Sequence, residues 1–135
     1  VGLPFKAAWT YSDAEFRSDR ADSNFFGDVA KGDPIPYIPD HQLYVSQGVV
    51  WQRWAGYIGL THVGKSCAFA SCGPFEETDD LTMIDASLHY NLTPTVQLYG
   101  LAKNLNGEDG IAGRQPRGAR PHLDRTLIGG IRIQL

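Results

Sequence analysis

Six stretches of the chain alternate apolar and polar residues with a period of two, and the segments joining them alternate long and short. Successive side chains of an extended chain point to opposite faces, so this period with aromatic and β-branched enrichment predicts strands. The stretches are Pro4–Phe16, His41–Val50, Arg53–Gly64, Leu81–Leu92, Thr95–Leu105 and Asp124–Leu135. In the first, Phe5, Ala7, Trp9 and Tyr11 alternate with Lys6, Ala8, Thr10 and Ser12. In the last, Leu127, Gly129, Ile131, Ile133 and Leu135 share one face, and Ile128, Gly130, Arg132 and Gln134 the other. The third, WAGYIGLTHVG, is apolar in both registers, so its facing stays open.

The connections carry as much information. VVWQR turns the chain between the second and third stretches, and NLTPT between the fourth and fifth. The other connections run over residues 18–39, 65–80 and 106–124. Structureless loops beyond about 12–15 residues are uncommon in compact soluble domains. An outer-membrane barrel accounts for them, with short periplasmic turns, long extracellular loops and strands apolar outside and polar inside. Lipid offers no hydrogen bonds, so every backbone group must pair between strands. With the first long loop outside, both tight turns are periplasmic and the last strand descends to the periplasm. A soluble sandwich or lipocalin-like barrel also alternates. Against it, Asp85, Ser87, His89 and Asn91 would suit a wet lumen, and Trp9, Tyr11, Trp51, Trp54, Tyr57, Tyr90 and Tyr99 read as an interfacial girdle. The predicted fold is all-β: part of an antiparallel transmembrane barrel, with about six strands in this chain.

Composition narrows the partners. A net charge of -3 and a pI near 5.7 give no signature of nucleic-acid binding. No run approaches the roughly 20 apolar residues of a spanning helix. The chain opens Val1-Gly2-Leu3 without Met, which reads as a piece of a longer protein. Cys67 and Cys72 lie in SCAFASCG. With no second pair they make a poor zinc site. In an oxidising compartment they would form a short-loop disulfide, and otherwise two free thiols.

Three segments resemble a known family. Gly32 to Val45, GDPIPYIPDHQLYV, is similar to a Gly-Asp-x-x-Pro-Tyr-x-Pro-x-His-Gln segment late in TonB-dependent outer-membrane receptors. Leu92 to Gly107, LTPTVQLYGLAKNLNG, resembles their penultimate hairpin. Gly118 to Leu135, GARPHLDRTLIGGIRIQL, resembles their closing segment. The motifs stand in the family's order and spacing, closest to ferric-citrate and related siderophore receptors. The chain departs from the pattern at Asn106-Gly107, at His122 and Asp124, and at Leu135, where an aromatic residue usually ends the family's chains. The resemblance implies that residues 1–135 are the C-terminal part of a barrel of about 22 strands, with the plug and earlier strands outside them. It implies uptake of a ferric siderophore or ferric citrate-like chelate, the iron arriving in the substrate and no cofactor being held. The implied partners are the TonB–ExbB–ExbD system acting through the plug, the barrel-assembly machinery and lipid, at the outer membrane of a Gram-negative bacterium. Leu127, Ile131, Ile133 and Leu135 would form the C-terminal assembly signal.

No catalytic constellation is legible, and the expectation is a protein that is not an enzyme. His41, His62, His89 and His122 are not spaced as a local metal pair, and no G-x-S-x-G elbow occurs. Arg114, Arg117 and Arg120 are the ligand candidates, since a guanidinium fork matches carboxylates. A structural role at the strand entry competes for Arg120. The other long loops oppose an anion: residues 18–33 sum to -2 and residues 65–80 to -3. This portion therefore does not itself advertise a citrate-like ligand. Two further readings stay open, a soluble β-domain binding a small ligand and an outer-membrane channel without TonB coupling.

Overall fold

A computed structural model describes residues 1–23, 26–115 and 118–134. Among these residues ten strands follow in chain order: β1 (Phe5–Tyr11), β2 (Arg20–Ser23), β3 (Gly27–Val29), β4 (His41–Trp51), β5 (Trp54–Val63), β6 (Leu81–Asn91), β7 (Val96–Lys103), β8 (Ile111–Gly113), β9 (Arg120–Pro121) and β10 (Thr126–Ile133). The six long strands form one antiparallel sheet in the order β1-β4-β5-β6-β7-β10. They coincide with the six alternating stretches, although the first ends at Tyr11 rather than Phe16. The long connections are not structureless. β2 and β3 form a ribbon in the first, and β8 and β9 a ribbon in the third.

Register assigns every side chain to a face. Pairs such as Trp9↔Leu43, Leu43↔His62, His62↔Thr82 and Ala102↔Leu127 run along one face of the sheet. That face carries Phe5, Trp9, Val45, Val49, Ile58, Leu60, Ile84, Leu88, Leu98, Leu127, Ile131 and Ile133 among others. It places Ile58 and Leu60 of the ambiguous third stretch with the apolar side, and Tyr57, Gly59 and Thr61 with the polar side. The polar face carries Lys6, Gln42, Tyr44, Ser46, Thr61, Asp85, Ser87, His89, Gln97, Lys103 and Arg132.

The sheet is a single layer. Leu127 is 75% exposed, Trp9 67%, Ile131 65% and Ile133 64%, so nothing among the described residues covers the apolar face. Soluble sheets bury such a face against a second layer. Among the described residues the buried apolar side chains are Val29, Ala68, Ala70 and Leu81, all at the end where the long connections emerge. The chain's own core therefore lies in its loops.

At the other end the turns are tight. Trp51 pairs with Trp54 across Gln52-Arg53, and Gln52 takes a left-handed φ of 50° to close the loop. At the β6–β7 turn the Thr93 hydroxyl accepts from the Val96 N–H at 3.0 Å. Pro94, with no N–H to donate, stands outside the ladder.

Two glycines on the polar face sit beneath tyrosines. A Cβ on Gly48 would lie 2.6 Å from the ring of Tyr57, and one on Gly130 would lie 2.5 Å from the Tyr99 hydroxyl. Tyr57 and Tyr99 thus cover bare backbone on the polar face. They do not join the expected girdle. The aromatics of the apolar face are Trp9 and Tyr11 at the loop end, packed on His41, Trp51, Trp54 and Tyr90 at the turn end, and Phe5 between them on β1.

Candidate functional site

The three long connections interlock into one cap, and the short segment Cys67–Cys72 is its hub. The two cysteines are joined by a disulfide, with Cα atoms 5.2 Å apart. Inside the bridge Ala68 and Ala70 are fully buried. Glu76 closes the segment: its carboxylate accepts from the Ser71 hydroxyl at 2.6 Å and the Gly73 N–H at 2.7 Å. Those two bonds favour the charged form and hold the Glu76 carboxyl below its ordinary range. Thr78, buried beside them, accepts from the Ser66 N–H at 3.0 Å.

The first connection docks through Tyr37, held at a left-handed φ of 61°. Its N–H donates to the Cys67 carbonyl at 2.8 Å, and its hydroxyl accepts from the Arg114 N–H at 3.0 Å. The Ala70 N–H adds a bond to the Phe26 carbonyl at 3.1 Å. The third connection docks on the second. Asp79 and Ile111 exchange two bonds, at 2.8 and 3.0 Å, and Gln115 Nε2 donates to the Ala68 carbonyl at 3.2 Å.

Asn104 governs the departure of the third connection from β7. It is 2% exposed and holds a φ of 51°. Its amide nitrogen donates to the carbonyls of Glu108 and Leu123 at 2.9 and 3.0 Å, and its amide oxygen accepts from the Glu108 N–H at 2.8 Å. β6 overruns β7 here, and side chains complete the ladder. Asn106 bonds the Ile84 N–H and the Thr82 carbonyl, at 2.9 and 2.7 Å.

Below the cap, in the loop-side half of the polar face, lies a concavity of about 240 Å³. Tyr44, Ser46, Tyr57, Thr61 and Ser87 line it with hydroxyls, around the bare backbone of Gly59. Its one cation, Lys103, stands 3.8 Å from Asp85, which also accepts from the Asn104 N–H at 2.9 Å. The charges offset each other, leaving a neutral wall of hydroxyls and rings.

The Nε of Arg114 donates to the Glu77 carbonyl at 2.6 Å, tying two connections together. Arg120 lies exposed in β9, and Arg117 falls outside the described residues. Leu127, Ile131 and Ile133 share the apolar face of β10, while Leu135 falls outside the described residues. The histidines stay dispersed, and no group of metal-binding side chains occurs among the described residues. Tyr37, Asn104 and the Tyr44–Tyr57 wall went unread as site residues. Tyr37 was hidden in a proline-rich strand entry, and Asn104 at what reads as a strand end.

No family model matches the chain, and no curated protein matches it. Among solved structures it is similar to the crystal structure of the siderophore receptor PiuA from Acinetobacter baumannii, with a TM-score of 0.79 at 16% identity. The likeness is one of fold. It takes in 97% of this chain and 19% of the receptor, so the chain spans about a fifth of that protein's length.

Proposed function

We propose that the chain is the C-terminal part of the barrel wall of a TonB-dependent outer-membrane receptor that takes up a ferric siderophore or similar iron chelate. The observation that carries this is the two-faced, single-layer sheet, sharing its fold with a siderophore receptor. Lipid covers the apolar face, and the polar face lines the lumen. The cap is extracellular, and the Gln52-Arg53 and Thr93-Pro94 turns are periplasmic. The outer-face aromatics suit this. From Leu43 beside Trp9 to Trp51 is eight residues, about 27 Å along the strand. At a tilt of about 40° this is about 21 Å of height, near the apolar band of about 25 Å between aromatic girdles.

Outside the bilayer, Arg120 and the remaining guanidinium nitrogens of Arg114 are, with Arg17, Arg20, Lys31, Lys65 and Arg125, the cations that the described connections offer a ligand. Energy would reach the receptor from the TonB–ExbB–ExbD system through a plug domain, and the barrel-assembly machinery would read β10. The reading assigns no bond-making chemistry to this chain and no resident cofactor, since the iron is cargo.

The test is made with the intact protein in its own cells. Deletion should abolish growth on at least one iron chelate under iron limitation, and the protein should fractionate with the outer membrane. Cysteines placed at Ile131 and Arg132 should report lipid and water respectively to a bilayer-confined label. A protein soluble and monomeric without detergent, with cooperative unfolding, would overturn the reading in favour of a soluble β-domain.

A further inference from the structure

The charges of this chain are segregated. Fourteen of its 15 acidic residues lie in the connections 12–40, 64–80 and 104–125, against eight of its 12 Lys and Arg. The fifteenth, Asp85, is the partner of Lys103. The cap therefore presents a negative field, and the Nε of Arg114, one of its cations, is already bonded to a backbone carbonyl. Directly beneath it the wall concavity is neutral. Tyr44 and Tyr57 are exposed there, and the hydroxyls of Tyr44, Tyr57, Thr61 and Ser87 carry no hydrogen bond among the described residues. Free hydroxyls on a neutral wall donate to uncharged acceptor oxygens, and tyrosine rings pack against methylene linkers. Polyanion binding needs convergent cations that this wall lacks.

We infer that the chelate taken by this wall is neutral or singly positive and of hydroxamate type, and that multiply negative carboxylate or catecholate chelates are disfavoured. The inference rests on the receptor reading above and narrows its substrate. Ferric trihydroxamates combine low or positive charge with acceptor oxygens on flexible methylene chains, which is the chemistry the concavity matches. Attraction to the cap is a solvent-exposed effect, screened over about 8 Å at physiological salt, so it should show as salt dependence.

The intact receptor in detergent is titrated with a singly positive linear ferric trihydroxamate, ferric citrate and a triply negative ferric tris-catecholate, at low and high salt. The expected result is trihydroxamate binding at least about tenfold tighter than either anion, weakening as salt rises. Each of Tyr44→Phe, Thr61→Val and Ser87→Ala removes one hydrogen bond and should weaken it about threefold to tenfold, in variants that still run as heat-modifiable barrels. Equal or tighter binding of an anionic chelate, or an affinity for it that falls with added salt, would overturn the inference. So would unchanged trihydroxamate affinity in all the variants. Failure to bind any iron chelate would overturn the receptor reading itself, and this inference with it.

Discussion

Asn104 offers the sharpest test of how the cap is held. Its side chain makes three hydrogen bonds in a site 2% exposed, and its backbone is left-handed at φ 51°. Asn104→Ala removes all three bonds and leaves Ala in a conformation that costs an L-residue about 1–2 kcal/mol. Each lost bond contributes about 0.5–1.5 kcal/mol, more where a buried group is stranded. The Glu108 N–H loses the bond it makes to Asn104. Since such terms overlap, the expected loss for local opening of residues 104–110 is about 2–4 kcal/mol. That corresponds to roughly 30- to 1000-fold faster amide exchange at Glu108 if exchange proceeds through local opening. Asn104→Gly removes the same bonds but tolerates the positive φ, so it should be milder than Ala by about 1 kcal/mol. Asn104→Asp keeps the acceptor for Glu108 but turns a buried carboxylate oxygen onto the carbonyls of Glu108 and Leu123, so it should cost at least as much as Ala. The assay is hydrogen exchange by mass spectrometry on the intact protein in detergent, with β4 and β5 peptides as internal controls. Unchanged protection at residues 104–110 in Asn104→Ala, or equal effects of Ala and Gly, would refute the reasoning.

Three other outcomes follow from the same geometry. Ile131→Asp or Ile133→Asp puts a carboxylate on the apolar face of β10 and should block membrane assembly, whereas Gln134→Glu should assemble normally; equal amounts of heat-modifiable barrel from all three variants would count against the lipid-facing assignment. Gly48→Ala drives a methyl to 2.6 Å from the Tyr57 ring and 2.8 Å from Pro4, so it should lower stability by about 1–3 kcal/mol. Gly100→Ala meets nothing within 4 Å and should be near neutral; indistinguishable urea midpoints would show that Tyr57 does not seal this backbone. The Glu76 carboxyl is held below its ordinary value by Ser71 and Gly73, so the folded segment binds fewer protons than the unfolded one. Its contribution is present above the ordinary carboxylate range and is lost as pH falls through the lowered value. The Gly73 amide resonance should therefore move with acid, and Glu76→Gln should abolish that titration.

The wall was legible in the sequence because strand physics is local. Alternation in Leu81–Leu92 or Thr126–Ile133 needs only the period-2 geometry of one strand, and the lengths of the connections separate turn end from loop end. The third stretch was illegible for the same reason. With Ala55, Tyr57 and Val63 alternating against Ile58 and Leu60, only pairing with β4 decides the face. The cap was illegible because its bonds are non-local. Tyr37 reaches Cys67 and Arg114 across 30 and 77 positions of sequence, and nothing in PIPYIP announces those partners. Arg114 was read as a ligand candidate from residue type alone. Its bond to the Glu77 carbonyl depends on how two connections pack.

If the wall faces lipid as proposed, the two halves of the molecule answer to different solvents, and this accounts for where its core lies. A wall in lipid gains little from an apolar interior of its own, because acyl chains are as apolar as Leu; its stability comes from a complete backbone ladder. The wall accordingly exposes its large apolar residues and buries almost none. Connections in water have the opposite need. They must bury something to stay ordered, and here they bury Val29 together with Ala68 and Ala70, the two alanines lying inside a disulfide loop. Small alanines suit that place, because they let three chain segments approach closely enough to exchange backbone bonds. A cap so cross-tied behaves as one body, so an opening motion that admits ligand should swing all three connections together from the ends of β1, β4, β5, β6, β7 and β10. Paired spin labels at Ala30 and Ser71 should then hold one separation with and without ligand, while each changes its distance to a label at Gln52. Independent movement of the two cap labels would show that the bonds through Tyr37 and Ala70 do not bind the connections into a unit.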